Sequence, residues 1–363
     1  MAQKILFGIP PKTHVTLAQD EIEGFEKIGY NCKSIIYGRN NQNISKINKL
    51  FGVVNNAFKI VFKLYSFKPH TLYLNSRFEP VACLRDFITI FIIRCFYIFK
   101  LQVIIKTHGS DLSVLDNSSF GFKKIVLPYL TNYVDKWLFL SKEEKTIIGN
   151  TKPELGKRIY VTCNIVEPSR SIKSATFKAK YNLPDDKFLF LFVGRIVDEK
   201  GVFSILRSIP NLSFRDECKF VFVGDGPDFL ALKEEAKLLN IVNCVVFTGF
   251  IEDEECDHFY ANVDALVFPT YFNEGFPMAL FKSVAAGLPI ITTPIRAAKD
   301  HLSEPENVLW VDGISVPSVT NAIMKLYGNT ALRDVMHKNN KVLSEKFIRE
   351  AVCRQMEEVF FKS

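Results

Sequence analysis

Residues 268–286 read FPTYFNEGFPMALFKSVAA, and the fold follows from how this stretch divides. An apolar run over 265–268 stops at a polar, Gly-containing turn, and a segment of helical period begins at Pro277. Strand, loop and helix are predicted in that order. Proline suits the first helical position, because its fixed φ fits the helix and its missing N–H is no loss there. The backbone amides of Gly275, Phe276 and Met278 then point out of a positive helix end, a place to hold an anion such as a phosphate. Glu274 stands just before that end, where a carboxylate can accept hydrogen bonds from a bound polyol; the plainer alternative is that it caps the helix.

The same unit recurs on both sides. Apolar runs at 188–193, 220–223, 245–247, 265–268, 290–292 and 308–311 are separated by helix-like segments, and further strand-like runs precede them at 5–9, 32–37, 71–75, 103–107, 136–140 and 158–162. Short continuous apolar strands alternating with helices predict an α/β fold of doubly wound parallel sheets. A chain of 363 residues is too long for one ordinary core, so two domains are expected, 1–165 and 166–343. The polar stretch 167–180 reads as the linker, and a last helix over 344–363 as crossing back to the first domain. Pro10 to Thr13 reads as a turn, and His14 as opening a helix ended by Gly29. Residues 40–56 read as a loop followed by an amphipathic helix.

The chain carries a net charge of +7, distributed unevenly. Residues 1–165 hold 23 Lys and Arg against 12 Asp and Glu, a balance of +11, whereas the remainder holds 23 against 27. The basic half is expected to meet an anionic membrane surface or a phosphorylated acceptor, and no Lys/Arg run or recognition helix supports nucleic acid. The eight Cys show no C-x-x-C pair and no His at metal-ligand spacing, which fits reduced thiols in a cytoplasmic setting. The apolar run near the N-terminus is too short for a signal-peptide core. The segment 80–100 is apolar almost all round a helix, but Arg85, Asp86 and Arg94 keep it short of the ~20 apolar residues a span needs. It reads either as a helix buried against a sheet or as one whose Phe-rich face, flanked by Lys59, Lys63, Lys68 and Lys100, meets an anionic membrane, giving a peripheral contact through 59–100.

Three further strand-to-loop junctions carry chemistry. Gly194-Arg195 follows the strand at 188–193, and Lys200-Gly201 comes five residues later; a planar fork beside a point charge suits a diphosphate. Gly249-Phe250 follows another strand and can present backbone amides to a base. His108-Gly109-Ser110-Asp111 follows the strand at 103–107, where open α/β sheets place ligands. Gly224-Asp225-Gly226-Pro227 raises a dinucleotide fingerprint, but its third Gly would fall at Phe229, which leaves a nicotinamide oxidoreductase as a disfavoured alternative. The acidic group 252–257 reads as a solvated helix start rather than a metal site, and no Asp-x-Asp metal signature occurs.

Taken together, GR-x4-KG at 194–201, VGDGP at 223–227, FTGFI at 247–251, FPTYFNEGFP at 268–277 and AAGLPIITT at 285–293 make the second half resemble the family 4 retaining glycosyltransferases of GT-B architecture, the glycosyl transferases group 1. KTHGSD at 106–111 looks like the family's His-containing loop, and YVTCNIVE at 160–167 like its entry into the second domain. The resemblance implies two Rossmann-like domains facing a central cleft, an acceptor-binding first domain and a nucleotide-sugar-binding second one. Arg195 and Lys200 would hold the diphosphate and stabilise the charge that builds as the sugar leaves. Glu274 and the amides of Gly275, Phe276 and Met278, on the segment that Pro277 turns into the helix, would grip the sugar and the distal phosphate, and His108 would approach the sugar. Gly194, Gly249 and Phe250 complete the donor side. Retention without a metal or other cofactor is implied, with a glycan acceptor, lipid-linked at the inner face of the membrane, in cell-surface polysaccharide synthesis.

The sequence departs from the family pattern at three places. Lys282 stands where a second Glu usually holds the ribose hydroxyls; sharing a helix face with Met278 and Ala279, it is expected to point at the cleft and to donate to ribose or phosphate oxygens. A catalytically silent sugar-nucleotide binder is therefore the alternative function. Pro10 to His14 replaces a Gly-rich loop, and Arg296 falls where Gly-Gly is common and is expected to add a charge near the site. His70, His258, His301 and His337 read as structural.

Overall fold

Twelve short apolar runs pair in parallel to make two separate six-stranded sheets. The computed structural model describes residues 3–10, 15–38, 46–117, 119–168, 173 and 176–362; His14, most of the 10–13 turn and part of the expected linker lie outside them. The chain divides into two units, one running to Ile165 and resuming at Arg349, the other Val166–Ile348.

In the first unit β1 (Lys4–Ile9), β2 (Asn31–Ile36), β3 (Thr71–Phe78), β4 (Gln102–Ser110), β5 (Lys136–Phe139) and β6 (Ile159–Val161) lie in the order β2-β1-β3-β4-β5-β6. The apolar faces of helices Lys46–Phe67 and Pro80–Phe96 close over one side, burying Ile60, Leu64, Ile90 and Ile93 against Leu72, Leu74 and Val103. On the other side the helix Val15–Lys27 meets the C-terminal segment. Arg349 pairs with Asp20 and Glu23, both at 2.9 Å, the Tyr30 hydroxyl donates to Glu357 at 2.7 Å, and Phe25 stacks on Phe360 at 5.2 Å. The expected continuous helix over 344–363 is broken: one helix, Thr330–Ser344, belongs to the second unit, and another, Arg349–Glu357, to the first. The break comes where Phe347 buries its ring against Phe281 and Phe276.

The second unit orders β7 (Phe188–Val193), β8 (Cys218–Val223), β9 (Val245–Gly249), β10 (Ala265–Phe268), β11 (Ile290–Thr292) and β12 (Val308–Trp310) as β12-β11-β10-β7-β8-β9. The chain steps outward from β7 to β9 and then returns to the other side of β7, so the strand order reverses between β7 and β10. At such a reversal the loops leaving the two strands diverge and open a crevice at their carboxyl ends. Among the described residues no helix is long and apolar enough to cross a membrane, and all eight cysteines are free.

Candidate functional site

The loops leaving β7 and β10 form the crevice of the second unit, and they are stitched together by backbone. The carbonyl of Glu199 accepts from the amides of Tyr271 at 2.9 Å and Phe272 at 3.0 Å, and from the Thr270 hydroxyl at 3.2 Å. The Tyr271 hydroxyl donates to Asp198 at 2.8 Å; burial first, and then that hydrogen bond, push its pKa up to about 12, so it stays a donor at neutral pH. Gly201 makes the close approach possible. Its φ is +72°, and a Cβ there would lie 2.3 Å from the Pro269 carbonyl oxygen. Gly201→Ala is therefore expected to cost ~2 kcal/mol or more, read as a lower unfolding midpoint of the second unit by hydrogen exchange.

This stitching places the Lys200 ammonium against the Glu274 carboxylate in an ion pair whose side chains are 13% and 21% exposed. The ammonium also sits 5.5 Å from the Phe268 ring centre and 5.2 Å from that of Phe272, within cation–π range of both. A half-buried, jointly held cation and carboxylate can serve opposite ends of one ligand, the cation a phosphate and the carboxylate a set of hydroxyls.

Around this pair the neighbouring loops are buttressed. Gly194 has φ +155° and donates to the Val223 carbonyl, and a Cβ on Gly226 would meet the Ile196 carbonyl at 2.2 Å, so the 194–197 and 224–228 loops pack backbone to backbone. Asp228 accepts from the Asp198 amide at 2.8 Å. Phe229, where a dinucleotide fingerprint needs Gly, turns its ring edge-on to Phe247 at 6.1 Å. Arg195 is exposed. Gly249 has φ +72°, its carbonyl accepts from Gly224 at 2.9 Å, and Phe250 beyond it is 68% exposed, a free aromatic face.

Three expectations are corrected here. Pro277 is the cap rather than the first helical residue: it has φ −68° and ψ 107°, and its carbonyl receives Leu280 at 3.1 Å and Phe281 at 3.2 Å, so the helix is Met278–Ala286. The Phe276 backbone lies near the helix end, as expected of its amide, while its ring stacks on Phe281 at 3.6 Å within a cluster that includes His301 and Phe347. Asp257 is not solvated. It is buried on the helix Asp253–Ala261 and takes the Lys282 ammonium at 2.5 Å, so Lys282 is held by a carboxylate rather than standing free to donate to ribose or phosphate oxygens. No local pattern marks Asp257, since the pair joins residues on separate helices. Arg296 is likewise buried and donates to the Asn273 carbonyl at 2.9 Å, bracing the loop that carries Glu274.

His108 belongs to the first unit. β4 does not end before it, as the apolar run suggests, because pairing with β3 continues through Ser76↔Thr107 to Phe78↔Ser110. His108 is thus a strand residue, its Nε2 2.6 Å from Asn75 Oδ1 on β3. A recess of about 660 Å³ in the second unit lies elsewhere, lined by Asp185, Glu217, Asp264 and Arg333 near the amino ends of β7, β8 and β10, away from the crevice.

Residues 173–342 match the family model of the glycosyl transferases group 1. The match lies within the second unit and covers just under half of the chain. The Lys200–Glu274 crevice lies inside the matched residues and His108 outside them. The chain is 25% identical over 223 residues, 60% of its length, to the uncharacterized glycosyltransferase MJ1607 of Methanocaldococcus jannaschii, covering 57% of that protein. It is 26% identical over 50% of its length to the capsular polysaccharide biosynthesis glycosyltransferase CapM of Staphylococcus aureus, covering 47% of it. The chain thus spans about half the length of these curated relatives. Across 99% of both chains it superposes on the crystal structure of Anabaena Alr3699/HepE in complex with UDP and glucose, with a TM-score of 0.75 at 15% identity. That likeness shows the fold: two parallel α/β sheets of the GT-B type.

Proposed function

We propose that this chain is a group 1 glycosyl transferase that moves a sugar, with retention and without a metal, from a nucleotide-diphosphate donor to a hydroxyl of a glycan acceptor in polysaccharide synthesis. The observation that carries this reading is the Lys200–Glu274 pair at the strand-order reversal of the second sheet. Lys200 and Arg195 would take the diphosphate, while Glu274 would accept from sugar hydroxyls and Phe250 would offer a face to the base. Charge growing on the leaving diphosphate is stabilised most by donors already fixed in place, and Lys200 is fixed by Glu274 and two rings. The relatives' names support a glycan product, and the UDP and glucose bound to HepE make UDP sugars the first donors to try. A thermal-shift screen of UDP, GDP and ADP with their sugars tests the proposal, since a ligand selective for the folded state raises its melting point. Silence across the panel would remove it.

A silent binder is the second reading, favoured by Lys282 and its capture by Asp257. Donor hydrolysis or transfer by the wild type, absent in Glu274→Ala, decides between the two.

We further propose that the acceptor is lipid-linked and met at a membrane surface. Helix Lys46–Phe67 exposes Phe51, Phe58 and Phe62, and Phe96 at the end of the helix Pro80–Phe96 and Ile98 and Phe99 beyond it are exposed. Lys59, Lys63 and Lys68 lie among them, each worth ~1 kcal/mol near an anionic surface. The chain is expected to float with phosphatidylglycerol vesicles. The triple Lys59→Glu, Lys63→Glu, Lys68→Glu variant is expected to stay in the pellet; flotation equal to wild type would end the membrane assignment.

A further inference from the structure

Resting on the lipid-linked reading, we infer that Arg85 is the phosphate-binding residue of the first unit, receiving the diphosphate of an amphiphilic acceptor. The first sheet reverses its strand order between β1 and β3, so its crevice also opens at the carboxyl ends of those strands. Among the described residues a built polar cluster stands there. Asp86 is fully buried and accepts from the Tyr37 hydroxyl just beyond β2 and from the Ser76 hydroxyl, at 2.5 Å, near the end of β3. Arg85, one residue earlier on the helix Pro80–Phe96, donates to the same carboxylate through Nε at 3.0 Å and Nη2 at 2.8 Å. It also donates to Ser76 through Nη2 at 2.7 Å and stacks over the Tyr37 ring at 4.3 Å.

The hydrogen bonds of the cluster run through Nε and Nη2, one edge of the guanidinium, which makes Nη1 the donor for a further acceptor. Asp86 neutralises the pair, so the attraction lies in a pre-set fork, whose geometry matches a phosphate, within a unit rich in cations. The Arg85 side chain is 24% exposed, so a ligand can reach it from solvent. Its neighbours name the rest of the ligand. Val81, one turn back on the same helix, is 79% exposed, and Leu84 is 47% exposed. An anion clamp bordered by open apolar side chains fits a molecule with a diphosphate head and a hydrocarbon tail.

The test uses the full chain carrying Arg195→Ala and Lys200→Ala, so that diphosphates are not taken by the second unit, with geranyl diphosphate and inorganic pyrophosphate as probes in calorimetry. Geranyl diphosphate is expected to bind, and at least tenfold more weakly once Arg85→Gln and Asp86→Asn are added. That double change removes both charges together and leaves Tyr37 and Ser76 with a hydrogen-bond partner, so the fold survives where Arg85→Gln alone would strand a buried carboxylate. Arg94→Gln is the control for general surface charge and is expected to stay within twofold. Unchanged affinity in the double variant, or an equal loss in Arg94→Gln, overturns the assignment. Pyrophosphate binding as tightly as geranyl diphosphate overturns its lipid part. In the chain with Arg195 and Lys200 intact, Arg85→Gln/Asp86→Asn should keep the nucleotide thermal shift, so a failed clamp and a failed donor site give different results.

Discussion

Lys200→Ala is expected to lower sugar-nucleotide turnover by about 10²- to 10³-fold, the scale for removing one pre-set donor to a growing negative charge. Nucleoside diphosphate affinity should fall with it. Glu274→Gln is expected to split the two quantities: turnover drops, because a charge-assisted hydrogen bond to the sugar is lost at ~1.5–3 kcal/mol, but the nucleoside diphosphate binds more tightly than to wild type. The reason is the ion pair. In the free protein the ammonium of Lys200 is engaged by Glu274, and a diphosphate must share it with that carboxylate. Neutralising Glu274 removes both the competitor and a like charge facing the phosphate. Steady-state kinetics beside calorimetry with UDP read both signs. If both variants weaken nucleotide binding alike, the pair is only a strut between the loops after β7 and β10.

The second large effect is on stability. Lys106 and Glu21 are fully buried, 2.6 Å apart, and Lys106 also donates to the Cys163 carbonyl at 3.0 Å, tying β4, the helix Val15–Lys27 and the segment after β6. Lys106→Met leaves Glu21 as an uncompensated buried charge and should destabilise the first unit by ~3–5 kcal/mol. Adding Glu21→Leu should recover most of that, because two apolar side chains need no partner. Hydrogen exchange along β4 is the measurement, since a chain of two units does not unfold in one step. A double variant as unstable as the single would mean that the pair itself, not the stranded charge, holds the unit. His108 lies two residues on and shares the sheet face of Lys106, so the single variant should also loosen its contact with Asn75.

Most of the architecture is legible along the chain. A strand buried on both faces must be apolar throughout, so β7, β10 and β11 announce their limits to the residue. Legibility fails where hydrogen bonding rather than apolarity sets the boundary. β4 continues through the polar KTHGS because β3 runs beside it, and the helix Lys46–Phe67 extends far past its first apolar positions because its later turns bury Ile60, Val61 and Leu64.

By itself the sequence determined which segments are strands and helices, that the sheets are parallel, and that residues 268–286 place an acidic group before a helix end, since these depend on local period and turn chemistry. Tertiary structure alone decided the partners: Lys200 with Glu274, Lys282 with Asp257, Lys106 with Glu21, and Arg85 with Ser76 and Tyr37. Each joins residues from different elements, and no local pattern encodes a contact that exists only once the strands have taken their order.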